Sequence, residues 1–191
     1  MKRVAIFVSG SGSNAQNIIE YFLNNSSGTV AMILTNNPKA FVIERVAKFN
    51  IPVRIFDHEF FNNSTAMIEL LSGNKIDLIV LAGFLWLIPK YLIKAYPKKI
   101  INIHPALLPK YGGKGMYGSI VHETVIQNQE KESGITIHYV NENYDEGSII
   151  FQARCEVKPD DTSKSLANRV HELEYLYYPK VIEELLIKMD N

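Results

Sequence analysis

Apolar positions alternate along most of the chain between short β-branched runs and stretches at helical spacing, which predicts strands and helices in turn. Arg3 to Val8 is a β-branched run closed by SGSGSN, and Asn14 to Leu23 then repeats apolar residues at helical spacing. Thr29 to Thr35 reads as a second strand, Phe41 to Phe49 as a helix, Pro52 to Phe56 as a third strand, and Ser64 to Leu71 as a helix stopped by Gly73. Asp77 to Ala82 is a near-continuous apolar run of the kind buried on both faces of a parallel sheet. A helix opened by Pro89 and a strand from Ile100 to His104 follow. Four or five such units predict an α/β chain built on a single doubly wound, mostly parallel sheet.

Past residue 130 the pattern changes. Gly134 to Val140 and Ser148 to Val157 read as strands joined by the short polar link NENYDEG, which predicts a C-terminal antiparallel hairpin added to the sheet. A closing helix follows, with Leu166, Val170, Leu173, Tyr177 and Val181 at helical spacing and Pro179 expected to kink or split it. A chain of 191 residues supports one sizeable core, so residues 1–191 are expected to form a single domain.

Composition narrows the function classes. Hydrophobic residues at 47% and charged ones at 21% leave no disordered tract to explain. Lys plus Arg and Asp plus Glu balance at 20 each, so the charge gives no footprint for nucleic acid or for a membrane surface. The single cysteine, Cys155, has no partner for an internal disulfide. The opening MKRVAIFVSGSGSN has a short apolar run broken by glycines, which reads as a first strand and not as a signal peptide or membrane span; the cytoplasm is the expected address.

Two stretches carry chemistry. In KKIINIHPALLPKY, Asn102 and His104 interrupt an apolar run. Side chains two apart on a strand share a face about 6.5 to 7 Å apart, and Pro105 ends ladder donation, so the pair is presented at the carboxyl end of a strand, where open α/β sheets bind ligands. An amide N–H and an imidazolium N–H converging on one point can hold a developing oxyanion, and an imidazole can shuttle a proton near neutral pH. No recognisable serine or cysteine nucleophile accompanies them, which favours direct attack by a substrate group; two satisfied polar groups at a strand end is the plainer alternative. The second stretch is the turn Ser9 to Asn14, where backbone N–H groups at a helix start suit a single phosphate on a small substrate. Ala15 stands at the third glycine position of a dinucleotide fingerprint and no acidic residue ends the second strand, so a dinucleotide is not favoured. A simple helix cap is the other reading.

Five motifs occur in order over nearly the whole chain: SGSGSN, LAGF at residues 81–84, NIHPALLP at 102–109, ITIHYV followed by DEG at 145–147, and Glu174 five residues before Pro179. Together they resemble the phosphoribosylglycinamide formyltransferase family, folate-dependent enzymes of purine synthesis. The resemblance implies transfer of a formyl group from 10-formyltetrahydrofolate to the primary amine of glycinamide ribonucleotide, with no metal. It implies Asn102, His104 and Asp145 as the catalytic trio, and Asp145, if it reaches His104, would raise the imidazole's pKa and keep a donor available near pH 7. It further implies Gly12, Ser13 and Asn14 for the substrate phosphate and His171, Glu172, Leu173 and Glu174 for the ribose side. The folate would lie against Leu85, Trp86, Leu87 and Ile88 and the loop Asn141, Glu142, Asn143 and Tyr144. The implied partners are these small molecules, with the chain itself a monomer or homodimer.

Among the remaining histidines, His122 could reach the cleft, His138 reads as core or sheet face, and His58 falls in a loop without a partner. Leu85-Trp86 stands where many relatives carry Met-Arg, and Asn63 stands near a position where relatives often carry an arginine for the folate tail. The loop 112–119, GGKGMYGS, reads as a mobile lid. A tRNA formyltransferase would bring a basic RNA-binding region, which the balanced charge does not favour. A sugar-nucleotide N-formyltransferase and a catalytically silent nucleotide-binding module are the remaining alternatives.

Overall fold

The computed structural model describes residues 1–189. Seven strands among them form one mixed sheet: β1 (Lys2–Val8), β2 (Gly28–Thr35), β3 (Val53–Ile55), β4 (Leu78–Leu81), β5 (Ile100–His104), β6 (Glu132–Tyr139) and β7 (Ile149–Glu156). Their order is β3-β2-β1-β4-β5-β6-β7, parallel from β3 to β5 and antiparallel for the last two. The helices are α1 (Ser13–Leu23), α2 (Val42–Val46), α3 (His58–Asn62), α4 (Ser64–Gly73), α5 (Lys90–Ala95), α6 (Ser119–Gln127) and α7 (Ser163–Lys188).

Both faces of the central strands are buried, as their unbroken apolar runs require. Val4, Ile6 and Val8 of β1 join a core with Ile18 and Phe22 of α1, Val42 of α2, Val125 of α6 and Val170 and Ile182 of α7. The intervening Ala5 and Phe7 join a second core with Phe61 of α3, Met67 and Leu71 of α4 and Leu92 of α5. The sheet is therefore doubly wound. Because β1 pairs with β2 on one side and β4 on the other, the connections leaving β1 and β4 diverge and open a crevice at their carboxyl ends. Ser9 N donates to Gly83 O at 3.0 Å and Leu85 N to Ser9 Oγ at 3.0 Å, which tie the two loops together at that crevice.

The expected hairpin is present. The expected helix over 41–49 is shorter, α2 giving way to a 3-10 turn over Ala47–Phe49 that ends at Asn50 in the left-handed region. Helix α3 was not legible from spacing because it has five residues; Asp57 caps it, accepting from Phe60 N at 2.8 Å.

Pro179 does not split the closing helix, which runs through 26 residues. Proline removes the N–H that would bond the carbonyl of Tyr175, and Asn17 Nδ2 of α1 donates to that carbonyl at 2.9 Å instead. The buried stripe of α7 passes through Leu166, Val170, Glu174, Tyr178 and Ile182, leaving the expected Leu173 and Tyr177 half-buried on its flank. No helix among the described residues is long and apolar enough to cross a membrane.

Candidate active site

Asn102 and His104 sit on the face of β5 that also carries Ile100, while Ile101 and Ile103 enter the opposite core. The antiparallel register sets His138 of β6 directly across from Asn102. Asn102 Nδ2 lies 3.1 Å from His138 Nε2 and 3.3 Å from Asp145 Oδ1. His104 Nδ1 is 3.5 Å from Asp145 Oδ2, His138 Nε2 is 3.6 Å from Asp145 Oδ1, and Gly113 N donates to Asp145 Oδ2 at 3.0 Å. The three residues implied by the resemblance thus meet, and His138 joins them. His138 is buried on the face of β6, as the reading of it as core or sheet face has it; its pairing with Asn102 across the sheet is visible only once the register is known.

Backbone geometry aims the carboxylate. Asp145 holds φ 57, a left-handed conformation that a non-glycine residue adopts at a cost and that recurs at functional sites. Two residues on, a Cβ at Gly147 would lie 1.6 Å from Tyr139 O, so the hairpin can close this tightly only on glycine. Across the sheet, the buried Thr136 hydroxyl donates to Ala106 O at 2.7 Å and accepts from Leu108 N at 3.0 Å, pinning the turn that follows His104.

Protonation follows from these contacts. His104 Nε2 is 2.7 Å from the Tyr111 carbonyl, so that nitrogen carries the hydrogen and Nδ1 faces Asp145. Burial pushes the His104 pKa below its ordinary value of 6.5, outweighing the upward pull of Asp145 and the Tyr111 carbonyl. Asp145 does pull the imidazole pKa up as expected, but burial outweighs it, so the net shift is downward and not the raised value that would keep a donor available near pH 7. Burial would push the Asp145 carboxyl up, but contacts with His138 and His104 and the Gly113 N–H hold it below the ordinary carboxylate value. His138 Nδ1 faces its neighbouring carbonyl, Tyr139 O, at 2.9 Å, while its Nε2 faces both Asn102 and Asp145.

A cleft of about 960 Å³ runs from this centre to the turn after β1. Gly12, Ser13 and Asn14 line it at the start of α1. Gly12 sits at φ 71, where a Cβ would be 2.4 Å from Val42 Cγ2, so the turn needs glycine both for its conformation and for its packing. Arg45 braces the turn through Ser11 O at 2.7 Å. Glu174, buried in α7, accepts from Asn14 Nδ2 at 2.7 Å and binds His171 Nδ1 at 2.9 Å. This hydrogen bond raises the His171 pKa above 6.5 despite partial burial. His171 and Glu174 line the cleft; Glu172 is exposed and Leu173 half-buried, and neither borders it. His122 of α6 lines the cleft as expected.

Leu85, Trp86, Leu87 and Ile88 form the apolar end of the same cleft. Trp86 stacks on His58, ring centroids 3.6 Å apart, and packs against Phe56, Phe61 and Phe84, so His58 does have a partner. Asn63 caps α4 through Ala66 N at 3.1 Å. Asn143 and Tyr144 border the cleft, whereas Asn141 and Glu142 do not: Asn141 accepts from Asn143 N at 3.0 Å and Glu142 pairs with Lys90 at 2.7 Å. Residues Gly113 to Ser119 of the glycine loop also line it. No group of three or more His, Cys, Asp or Glu able to hold a metal is found among the described residues.

The sequence model of the formyl transferase family matches residues 2–182. Phosphoribosylglycinamide formyltransferase of Bacillus subtilis is 40% identical over 191 residues, covering 97% of this chain and 95% of its own length. The chloroplastic phosphoribosylglycinamide formyltransferase of Arabidopsis thaliana is 41% identical over 187 residues, and the chain spans 64% of that relative. Among solved structures, phosphoribosylglycinamide formyltransferase from Bacillus halodurans superimposes with a TM-score of 0.86 at 37% identity, covering 97% of this chain and 95% of its own. Glycinamide ribonucleotide transformylase 1 from Symbiobacterium toebii gives 0.89 at 30% identity, over 98% and 89%.

Proposed function

The chain belongs to the formyl transferase family, and from that premise and the shape of its cleft we propose that it transfers the formyl group of 10-formyltetrahydrofolate to the primary amine of glycinamide ribonucleotide, in purine synthesis. The observation that carries this reading is the joining of Asn102, His104 and Asp145, at 3.3 and 3.5 Å, to the Gly12–Asn14 turn within one cleft. The acceptor's phosphate rests on the free N–H groups at the start of α1, its ribose faces Glu174 and His171, and its amine reaches the end of β5. The formyl donor, a substrate that is consumed, lies along Leu85 to Ile88.

The amine nitrogen attacks the formyl carbon, and the carbonyl electron pair moves onto oxygen. Asn102 donates to that oxygen, giving up its long 3.3 Å bond to Asp145 for a stronger charge-assisted one. The attacking nitrogen must shed one proton and the departing folate nitrogen must gain one. His104 Nδ1, bare in the neutral ring and facing Asp145, holds that proton between the two events, and the carboxylate stabilises the imidazolium while it lasts. A buried, neutral resting imidazole suits this task better than one already charged. His138, its Nε2 3.1 Å from Asn102 Nδ2, helps fix the amide's orientation.

The test supplies 10-formyltetrahydrofolate with either glycinamide ribonucleotide or an aminosugar nucleotide and follows release of deformylated folate. Release with glycinamide ribonucleotide alone is the expected result. Release only with the aminosugar nucleotide would replace the acceptor, and release with neither would remove the activity.

A further inference from the structure

His122 is the one cleft histidine without a task in this scheme. It lies on the buried face of α6 between Val121 and Val125, 3% exposed, where an apolar side chain would pack without penalty. Its Nδ1 is shut off from solvent and has no hydrogen-bond partner. Folded chains rarely leave such an atom unpaired, and exceptions call for a reason. Of the four buried side-chain polar atoms without a partner among the described residues, two border this cleft: His122 Nδ1 and Asn14 Oδ1. Two residues of the cleft wall thus each hold a buried polar atom whose hydrogen bonding the protein leaves incomplete.

The chemistry of the missing group follows. His122 lines the same cleft as His171 and Glu174 at the ribose end and His104 at the transfer centre. Burial, with the neighbouring His171 and His104 opposing Glu174, pushes its pKa below 6.5 and keeps the ring neutral. A neutral imidazole donates at one nitrogen and accepts at the other. Its natural partner is an amide or a hydroxyl, and Asn14 Oδ1 likewise calls for a donor, which a phosphate dianion is not. Glycinamide ribonucleotide carries an amide and hydroxyls between its phosphate and its amine.

We propose that His122 is a further substrate-binding residue, its imidazole hydrogen-bonding the acceptor between ribose and amine and so holding the amine against Asn102, His104 and Asp145. This rests on reading the cleft as the glycinamide ribonucleotide site. A ligand bond at His122 also explains why α6, which directly follows the glycine loop, carries a polar ring on its buried face.

The experiment compares wild type with His122→Phe, which keeps a ring of similar size and removes both nitrogens, and with His122→Gln, which restores a donor and an acceptor. The KM for glycinamide ribonucleotide rises about tenfold in His122→Phe, the value of one lost buried hydrogen bond, while the KM for the formyl donor stays unchanged. Without ligand, His122→Phe melts no lower than wild type, because no protein hydrogen bond is lost at Nδ1; its melting shift on adding glycinamide ribonucleotide alone is smaller. His122→Gln recovers part of both losses. A purely structural histidine gives the reverse pattern, a lower melting temperature with an unchanged acceptor KM. If His122→Phe does not fold, His122→Leu, which also lacks both nitrogens, decides by the same split: an acceptor KM and ligand shift equal to wild type overturn the proposal. Wild type that neither turns over glycinamide ribonucleotide nor shifts with it overturns the functional reading and this proposal together; wild type that responds while folded His122→Phe or His122→Leu responds equally overturns this proposal alone.

Discussion

The two ends of the cleft are built differently. At the end of β5, Asn102, His104, His138 and Asp145 bind one another and the Gly113 and Tyr111 backbone, so the constellation is held in place before any ligand arrives. Along the wall formed by α1, α6 and α7, Asn14 and His122 each keep an unpaired buried atom. Chemistry needs groups fixed in advance, since reorganisation during the reaction would add to the barrier. Recognition gains from groups left unpaired, because a substrate that completes them is favoured over one that cannot.

The largest effect is expected at Asp145. Asp145→Asn removes the carboxylate that the proposed mechanism sets beside the imidazolium, and turnover is expected to fall about 10²- to 10⁴-fold, the range for a positioned proton-transfer group. The melting shift caused by glycinamide ribonucleotide stays near wild type, as the two ends act separately; a lost shift would join them. Glu174→Ala acts oppositely. It strips Asn14 and His171 of their shared partner and raises the acceptor KM about tenfold or more, with a smaller change in kcat, as initial-rate kinetics would record. Thr136→Val keeps shape but deletes the hydroxyl that ties Ala106 and Leu108, lowering stability by about 1–3 kcal/mol in urea unfolding and leaving those backbone groups unpaired.

The smallest effect is in pH. His104 has a folded pKa below its unfolded value, so on acidification the unfolded chain takes up the proton first and the fold loses stability as pH drops below about 6.5. His171 has a raised folded value, so its contribution is complete below about 6.5 and fades as pH rises through that value. Urea unfolding of wild type and His171→Gln between pH 6 and pH 8 should converge toward the alkaline end, modestly because the ring is half-exposed. Divergence there would contradict the Glu174 pairing.

Much of the fold was legible because strands buried on both faces leave unbroken apolar runs, as in β1 and β4, and because glycine turns punctuate them. What escaped depends on contacts distant in sequence. Pro179 predicts a broken helix until Asn17 supplies the missing donor. His58 has no visible partner until α3 brings it onto Trp86. Asn102 and His104 could be placed on one face by spacing alone, whereas His138 needed the β5–β6 register and Asp145 needed a left-handed turn. The pKa of His104 was misjudged for a related reason: a nearby carboxylate is easily imagined from sequence, but the depth of burial that outweighs it is set by the whole fold.

In the proposed mechanism His104 and Asp145 work as one unit in holding the transferred proton. Single-turnover formyl transfer by His104→Asn, Asp145→Asn and the double variant tests it most directly. If the pair acts together, the double variant is about as slow as the slower single one. Losses that multiply would show two independent contributions and contradict the account.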